Sequence, residues 1–245
     1  MTTRSLFLWL LLAWPAVADK DSAVRAYERG DFRKAIHEWR ALANKDDPEA
    51  EFRLGAMYER GEGTAMDLNQ AVNWYRKAAY QGRAQAQYAL GMLVANGKGT
   101  SQDDVLASMW LNLASSAGDT DATKELAELT IRMTPQQVDN AQRLAKDWVP
   151  AFPIGRDVAA PVILSKIDPE YPEEARKAHY GATVTLDVVI DATGQVQDIH
   201  LESPVSFGLD RRAIEAVRKW TFRPGSRNGH PVAVQSTITV SFREL

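Results

Sequence analysis

A register of 36 residues dominates the first half of this 245-residue chain. Ala50, Leu54, Gly55, Gly61, Gly63, Thr64, Asp67, Ala71, Trp74, Ala78 and Gly82 recur 36 positions later as Ala86, Leu90, Gly91, Gly97, Gly99, Thr100, Asp103, Ala107, Trp110, Ala114 and Gly118. Eleven identities at one spacing mark a unit stacked on its own copy, since a single helical hairpin cannot bury its apolar face alone. Small residues at Ala50, Gly55, Ala71 and Ala78 let paired helices approach closely, while Leu54, Tyr58, Trp74 and Tyr75 fill the space between them at helical spacing. Gly61 and Gly63 break the chain between the two helices, and Asp67 stands where a carboxylate caps the second. One period upstream, Ala35, Ile36 and Trp39 align with Ala71, Val72 and Tyr75, and the loop shortens to Gly30 and Asp31. The array therefore starts near Ala23. Trp74, Tyr75 and Trp110 are read as core rather than as a ligand site.

Two more helices follow. Leu126, Leu129 and Met133 form an apolar stripe over 120–133. Thr134, Pro135 and Gln137 then spell an N-cap, a first-turn proline and a capping box, ahead of Val138, Ala141, Leu144, Ala145 and Trp148. They are expected to close the open end of the array. Pro150, Pro153, Gly155 and Pro161 mark a linker.

Beyond it the period falls from 3.6 to 2. Val184, Leu186, Val188 and Ile190 alternate with Thr183, Thr185 and Asp187. Asp191 to Gly194 form a tight hairpin turn, and the strand that returns slips phase between Val196 and Ile199, which predicts a bulge. Leu209, Ala213, Ala216, Val217 and Trp220 make a helical stripe, and Val234, Ser236, Ile238, Val240 and Phe242 alternate along the last strand. A short helix starting near Tyr171 and Pro172 precedes them. The order α-β-β-α-β predicts a three-stranded antiparallel sheet with two helices on one face. The chain thus divides into an export segment at 1–18, an all-α helical-hairpin solenoid with its capping helices at 19–149, a linker at 150–160 and an α+β domain at 161–245. The two halves are expected to fold independently.

The export segment rests on Arg4, the apolar run 6–12 and the small residues Ala16 and Ala18, in the order a cleavable secretory signal requires. Apolar residues make up 45% and charged residues 25%, the balance of a folded soluble protein. The net charge of -3 offers no basic face for nucleic acid. Without cysteine there is no disulfide, thiolate nucleophile or thiolate metal site, and His37, His179, His200 and His230 are scattered. The run from Gly91 to Lys98 has one residue too many for a phosphate loop, and His37–Glu38 lacks the second histidine of a zinc-protease helix. No catalytic constellation, cofactor site or metal site is expected.

The segment from Ala50 to Gly63, with Asp67, Ala71, Trp74, Tyr75, Ala78, Ala79 and Gly82, resembles the Sel-one-like repeat, a longer relative of the tetratricopeptide repeat. That resemblance covers roughly 21–118 and implies a protein-binding scaffold. Tyr171, Pro172 and Ala175, then Gly181, the Asp191 to Gly194 hairpin and the run Trp220–Thr221–Phe222–Arg223–Pro224 resemble the C-terminal domain of the TonB energy transducers. This second resemblance covers about 161–245. It implies a periplasmic domain that adds a short extended segment, the TonB box of an outer-membrane transporter, to its sheet edge. Two features depart from a transducer: 1–18 contains no histidine, and a helical array stands where a Pro-rich spacer belongs.

The reading that results is a non-enzymatic periplasmic adaptor related to transport. Two others stand beside it: a transducer held in the inner membrane by an uncleaved N-terminus and coupled to an ExbB–ExbD-like motor, and an envelope-assembly scaffold. The expected peptide-binding residues are Val234, Gln235, Ser236, Thr237, Ile238, Thr239 and Val240, because neither lysine nor proline guards the last strand between Pro231 and Arg243. The same edge could pair with a second copy of the chain.

Overall fold

The computed structural model describes residues 19–155, 157–202 and 204–243. The expected export segment at 1–18 lies outside them. Among the described residues no helix is long and apolar enough to cross a membrane.

The first half is a row of helices: α1 (Lys20–Glu28), α2 (Phe32–Ala43), α3 (Pro48–Arg60), α4 (Leu68–Tyr80), α5 (Ala84–Ala95), α6 (Asp104–Ser116), α7 (Thr120–Thr130) and α8 (Pro135–Asp147). Aspartate opens most of them. Asp31, Asp47, Asp67, Asp103 and Asp119 each accept a main-chain N–H of the first turn, which satisfies donors the helix itself leaves free. Thr134 and Gln137 close the capping box expected at α8.

The 36-residue period is a period of contacts. Gly55 lies against the ring of Tyr75, and 36 residues on Gly91 lies against Leu111. Gly63 sits with φ +75° over the carbonyl of Phe32, and Gly99 with φ +70° over that of Leu68. The Asp67 N–H donates to the Tyr58 carbonyl at 3.0 Å, as that of Asp103 does to Val94 at 3.3 Å. Each close approach is made twice, so the sequence had to keep the same small residue twice. Tyr75 and Trp110 are buried and Trp74 half-buried, which puts all three in the packing between helices. At the far end Leu129, Met133 and Ala141 extend the same core, and Trp148 meets Trp110 edge-on at 6.3 Å. Leu144 departs from its stripe and is exposed.

The second half holds β1 (Ala151–Pro153), β2 (Val158–Ala159), β3 (Val162–Ser165), α9 (Glu173–Lys177), β4 (Ala182–Ile190), β5 (Val196–Leu201), α10 (Leu209–Val217), β6 (Thr221–Arg223), β7 (Ser226–Arg227), β8 (His230–Pro231) and β9 (Ala233–Phe242). The expected antiparallel trio is present as β9-β4-β5. Val184, Leu186, Ile190, Val240 and Phe242 face α9 and α10 across a core with Ala175, Leu209, Ala213, Val217 and Trp220. The expected bulge is there too: Val189 opposes Asp198 and Ile190 opposes Val196, leaving Gln197 unmatched.

The stretch 150–160 differs from the linker expected of it. Its first three strand residues form β1, which pairs in parallel with β9, Ala151 opposite Ala233 through Pro153 opposite Gln235. Its end forms β2 against β7. The sheet therefore has four strands in the order β1-β9-β4-β5. Ala151 is fully buried, so the segment is bound into the fold rather than strung between two bodies. β3 and β6 make a separate antiparallel ribbon.

Candidate functional site

The sheet has two edges, and they are not alike. β5 carries the bulge at Gln197, and Asp198 and His200 on it face the helical array; bulges and charges are what natural edges use to refuse a guest. β9 is paired from Val234 to Phe242 with β4 on one side. On its other side β1 covers only Ala233, Val234 and Gln235. From 236 to 242 no described strand pairs with that side. Thr237, Thr239 and Ser241 are exposed while Ile238, Val240 and Phe242 are buried, so the alternation anchors the strand and leaves a polar, uncharged outer row.

This geometry sorts the seven expected residues. Ser236, Thr237, Ile238, Thr239 and Val240 lie on the free stretch. Val234 and Gln235 do not, because β1 has taken their side, and the Gln235 side-chain amide donates to the Ala151 carbonyl at 2.9 Å. Ser241 and Phe242 extend the free stretch beyond the expected set.

The outer face of the sheet is half covered, and by the repeats. Tyr80 of α4 packs on Ala151, Val189 and Ala233. Its hydroxyl donates to Asp198 Oδ2 at 2.5 Å. Burial, reinforced by the Asp198 charge, holds that hydroxyl well above the ordinary tyrosine range, so it stays a donor. His200 Nε2 lies 2.8 Å from Asn73 Oδ1, and the Gln235 amide reaches the Lys77 carbonyl at 3.4 Å. Burial, then the Arg76 charge, lowers His200 to about 4 and keeps the imidazole neutral near pH 7.

Beside this contact the two halves leave a cleft of about 230 Å³, walled by Asn73, Arg76, Lys77 and Tyr80 on one side and by Asp187, Val189, Asp198 and Gln235 on the other. Glu51 lies in its wall, almost wholly buried, and its Oε2 accepts from Gln81 Nε2 at 2.8 Å. Burial pushes the Glu51 carboxyl up to about 8 against the pull of Lys77. Ser236 and Thr237 line the mouth, where the cleft meets the free stretch of β9. None of the cleft residues outside β9 was among those expected. Two signals for them are in the sequence: Val189 is apolar in the row of Thr183, Thr185 and Asp187, and Glu51 is acidic on the buried face of α3. Among the described residues no group of acidic residues and histidines is arranged to hold a metal ion.

The family model described as Gram-negative bacterial TonB protein C-terminal matches residues 167–243, and that of the Sel1 repeat matches 48–82 and 84–119. The chain joins Sel1 repeats to a TonB-type C-terminal domain. It is similar to the protein TonB of Vibrio cholerae serotype O1, 32% identical over 111 residues that span 45% of each chain. The TonB of Xanthomonas campestris pv. campestris is 36% identical over 90 residues, 35% of this chain and 40% of that one. The chain thus spans less than half the length of either relative. Among solved structures, c5321 of uropathogenic Escherichia coli, a protective antigen displaying an SLR fold, is 29% identical with a TM-score of 0.49 over 51% of this chain and 28% of its own.

Proposed function

We propose that this chain is a non-enzymatic periplasmic protein whose TonB-type domain takes up an extended segment of an envelope partner, an outer-membrane transporter, as an added strand. The Sel1 repeats serve as scaffold and as one wall of the site. The observation that carries the reading is the side of β9 from 236 to 242, which has no strand partner among the described residues and no lysine or proline to guard it. Along an antiparallel ladder alternate residues turn their N–H and C=O away from the paired neighbour, so this side offers a row of donors and acceptors in register for a guest. Seven residues limit the guest to a short strand, and ordering it costs part of the gain, so the complex is expected to be weak and reversible.

The test is a titration of the full chain with a synthetic TonB-box peptide, followed by amide shifts. Shifts concentrated in 236–242 and lost in Thr239→Lys support strand addition; Thr239 is exposed, so the lysine guards the edge without entering the core. Thr237→Pro should act in the same direction by removing a main-chain N–H. Shifts confined to α9, with 236–242 silent, would place the site elsewhere and overturn the proposal.

A further inference from the structure

A guest strand on β9 cannot keep pairing past Ser236, because β1 already holds Gln235 and the chain leaves β1 through Ile154 at the lip of the cleft. Whatever flanks the guest at that end is directed into the space between sheet and repeats. The chemistry waiting there is uneven. Of the four cleft carboxyl groups three already have a donor: Asp198 from the Tyr80 hydroxyl, Asp187 from the Thr237 hydroxyl at 2.9 Å, and Glu51 from Gln81; the fourth, Asp46, is raised by burial against the pull of Lys77. Glu51 is also largely protonated near neutral pH. The Lys77 ammonium lies 4.8 Å above the Trp74 ring.

Arg76 has nothing comparable. Its Nη1 is buried without a hydrogen-bond partner, and the guanidinium pairs with none of the described acids. A guanidinium has five N–H donors and no acceptor, and leaving a buried charged donor unmet is costly. The neighbouring His200 ring is neutral at pH 7 and directs its Nε2 to Asn73, so it supplies Arg76 with no counter-charge. One buried cationic donor of the cleft is therefore unmet, and the acceptor that a guanidinium binds most strongly is a carboxylate.

We propose that Arg76, a residue of the Sel1 repeats, selects guests carrying an acidic side chain next to the pairing stretch, at the end that abuts Ser236. This rests on the strand-addition reading above and adds a specificity residue that lies outside the TonB-type domain. The repeats then read the guest directly.

The experiment is selection from a displayed library of random decapeptides against the full chain, run in parallel on wild type, Arg76→Lys and Arg76→Glu, each first checked by circular dichroism. Wild type and Arg76→Lys should enrich Asp or Glu at one flank of a strand-forming run, and Arg76→Glu should replace that preference with Lys or Arg. In a peptide so selected, Asp→Asn should weaken binding to wild type roughly tenfold or more, the range for a lost hydrogen bond to a charged group. Against Arg76→Gln the same change should matter less than about twofold. That last pair of measurements decides the matter if Arg76→Glu does not fold. Selected peptides that lose binding in Thr239→Lys but show no acidic preference would overturn the role of Arg76 and leave strand addition standing. Peptides indifferent to Thr239→Lys, or no enriched peptides at all, would overturn strand addition and this inference with it.

Discussion

Replacing Glu51 by glutamine should stabilise the protein at neutral pH. Glu51 is 1% exposed, and its one hydrogen-bond partner among the described residues is the Gln81 amide. Burial is the largest influence on its carboxyl, raising it from 4.5 to about 8; Lys77 opposes this and Asp46 adds to it. The folded state therefore keeps a proton that the unfolded chain gives up above 4.5. Stability on this account is complete below pH 4.5 and is lost as pH rises through 8, at about 1.4 kcal/mol per pH step. By pH 7 the loss amounts to about 3 kcal/mol. Glutamine stays neutral throughout and keeps an oxygen for Gln81, but brings an NH₂ that needs an acceptor, an offset of about 1–2 kcal/mol. The net gain expected at pH 7 is thus about 1–2 kcal/mol, larger at pH 8 and absent or reversed at pH 4.5. Urea unfolding of both proteins at these three pH values, followed by tryptophan fluorescence, isolates the Glu51 contribution as the difference between them. A variant less stable than wild type by the same amount at pH 4.5, 7 and 8 would show that Glu51 is ionised in the folded protein and paired with Lys77, and would refute the argument.

The other titrating group of the interface carries the opposite sign. His200, lowered to about 4, should cost stability as pH falls from 6.5 towards 4, by about 1 kcal/mol after solvent screening, and a histidine shift titration should show the ring neutral at pH 5.5. Tyr80→Phe removes the donor to Asp198 and should destabilise by about 1–3 kcal/mol, read as faster protease cutting within 150–160 than in wild type. Gly63→Ala puts a methyl against the Phe32 carbonyl at a φ of +75°, and a loss of at least about 2 kcal/mol is expected in thermal unfolding; no loss would mean that the loop moves freely there.

What the sequence discloses of this fold depends on repetition. The Gly55–Tyr75 contact is legible because it is made again as Gly91–Leu111, and the sheet because each strand repeats its choice at every second residue. β1 has neither advantage. Three residues in parallel pairing leave no period, and a stretch containing three prolines and a glycine within 150–161 looks like a spacer. The docking of the halves is equally silent in any single residue. It is written in pairs that are distant in sequence, Tyr80 with Asp198 and Asn73 with His200. Val189 and Ala233 were its visible trace, apolar side chains on the outer face of a sheet that otherwise shows polar and charged residues there.

The consequence for the site is that its length and its boundary come from different parts of the chain. The outer face divides in two. The end holding Val189, Asp198 and Gln235 is pressed on α4, and the end holding Thr239 and Ser241 is open. β1 fixes where one ends and the other begins, because it pairs with three of the ten residues of β9 and leaves seven. A fragment starting at 161 would have neither β1 nor α4. Its edge would run the full ten residues, its outer face would lose the cover over Val189 and Ala233, and the cleft wall that holds Arg76 would be gone. Such a fragment would accept a longer guest in more than one register, since register on a β edge is set by what blocks its ends and by the pockets beside it. On the proposed reading, affinity for a peptide would be carried by the TonB-type domain, while the choice among peptides would belong to the chain as a whole.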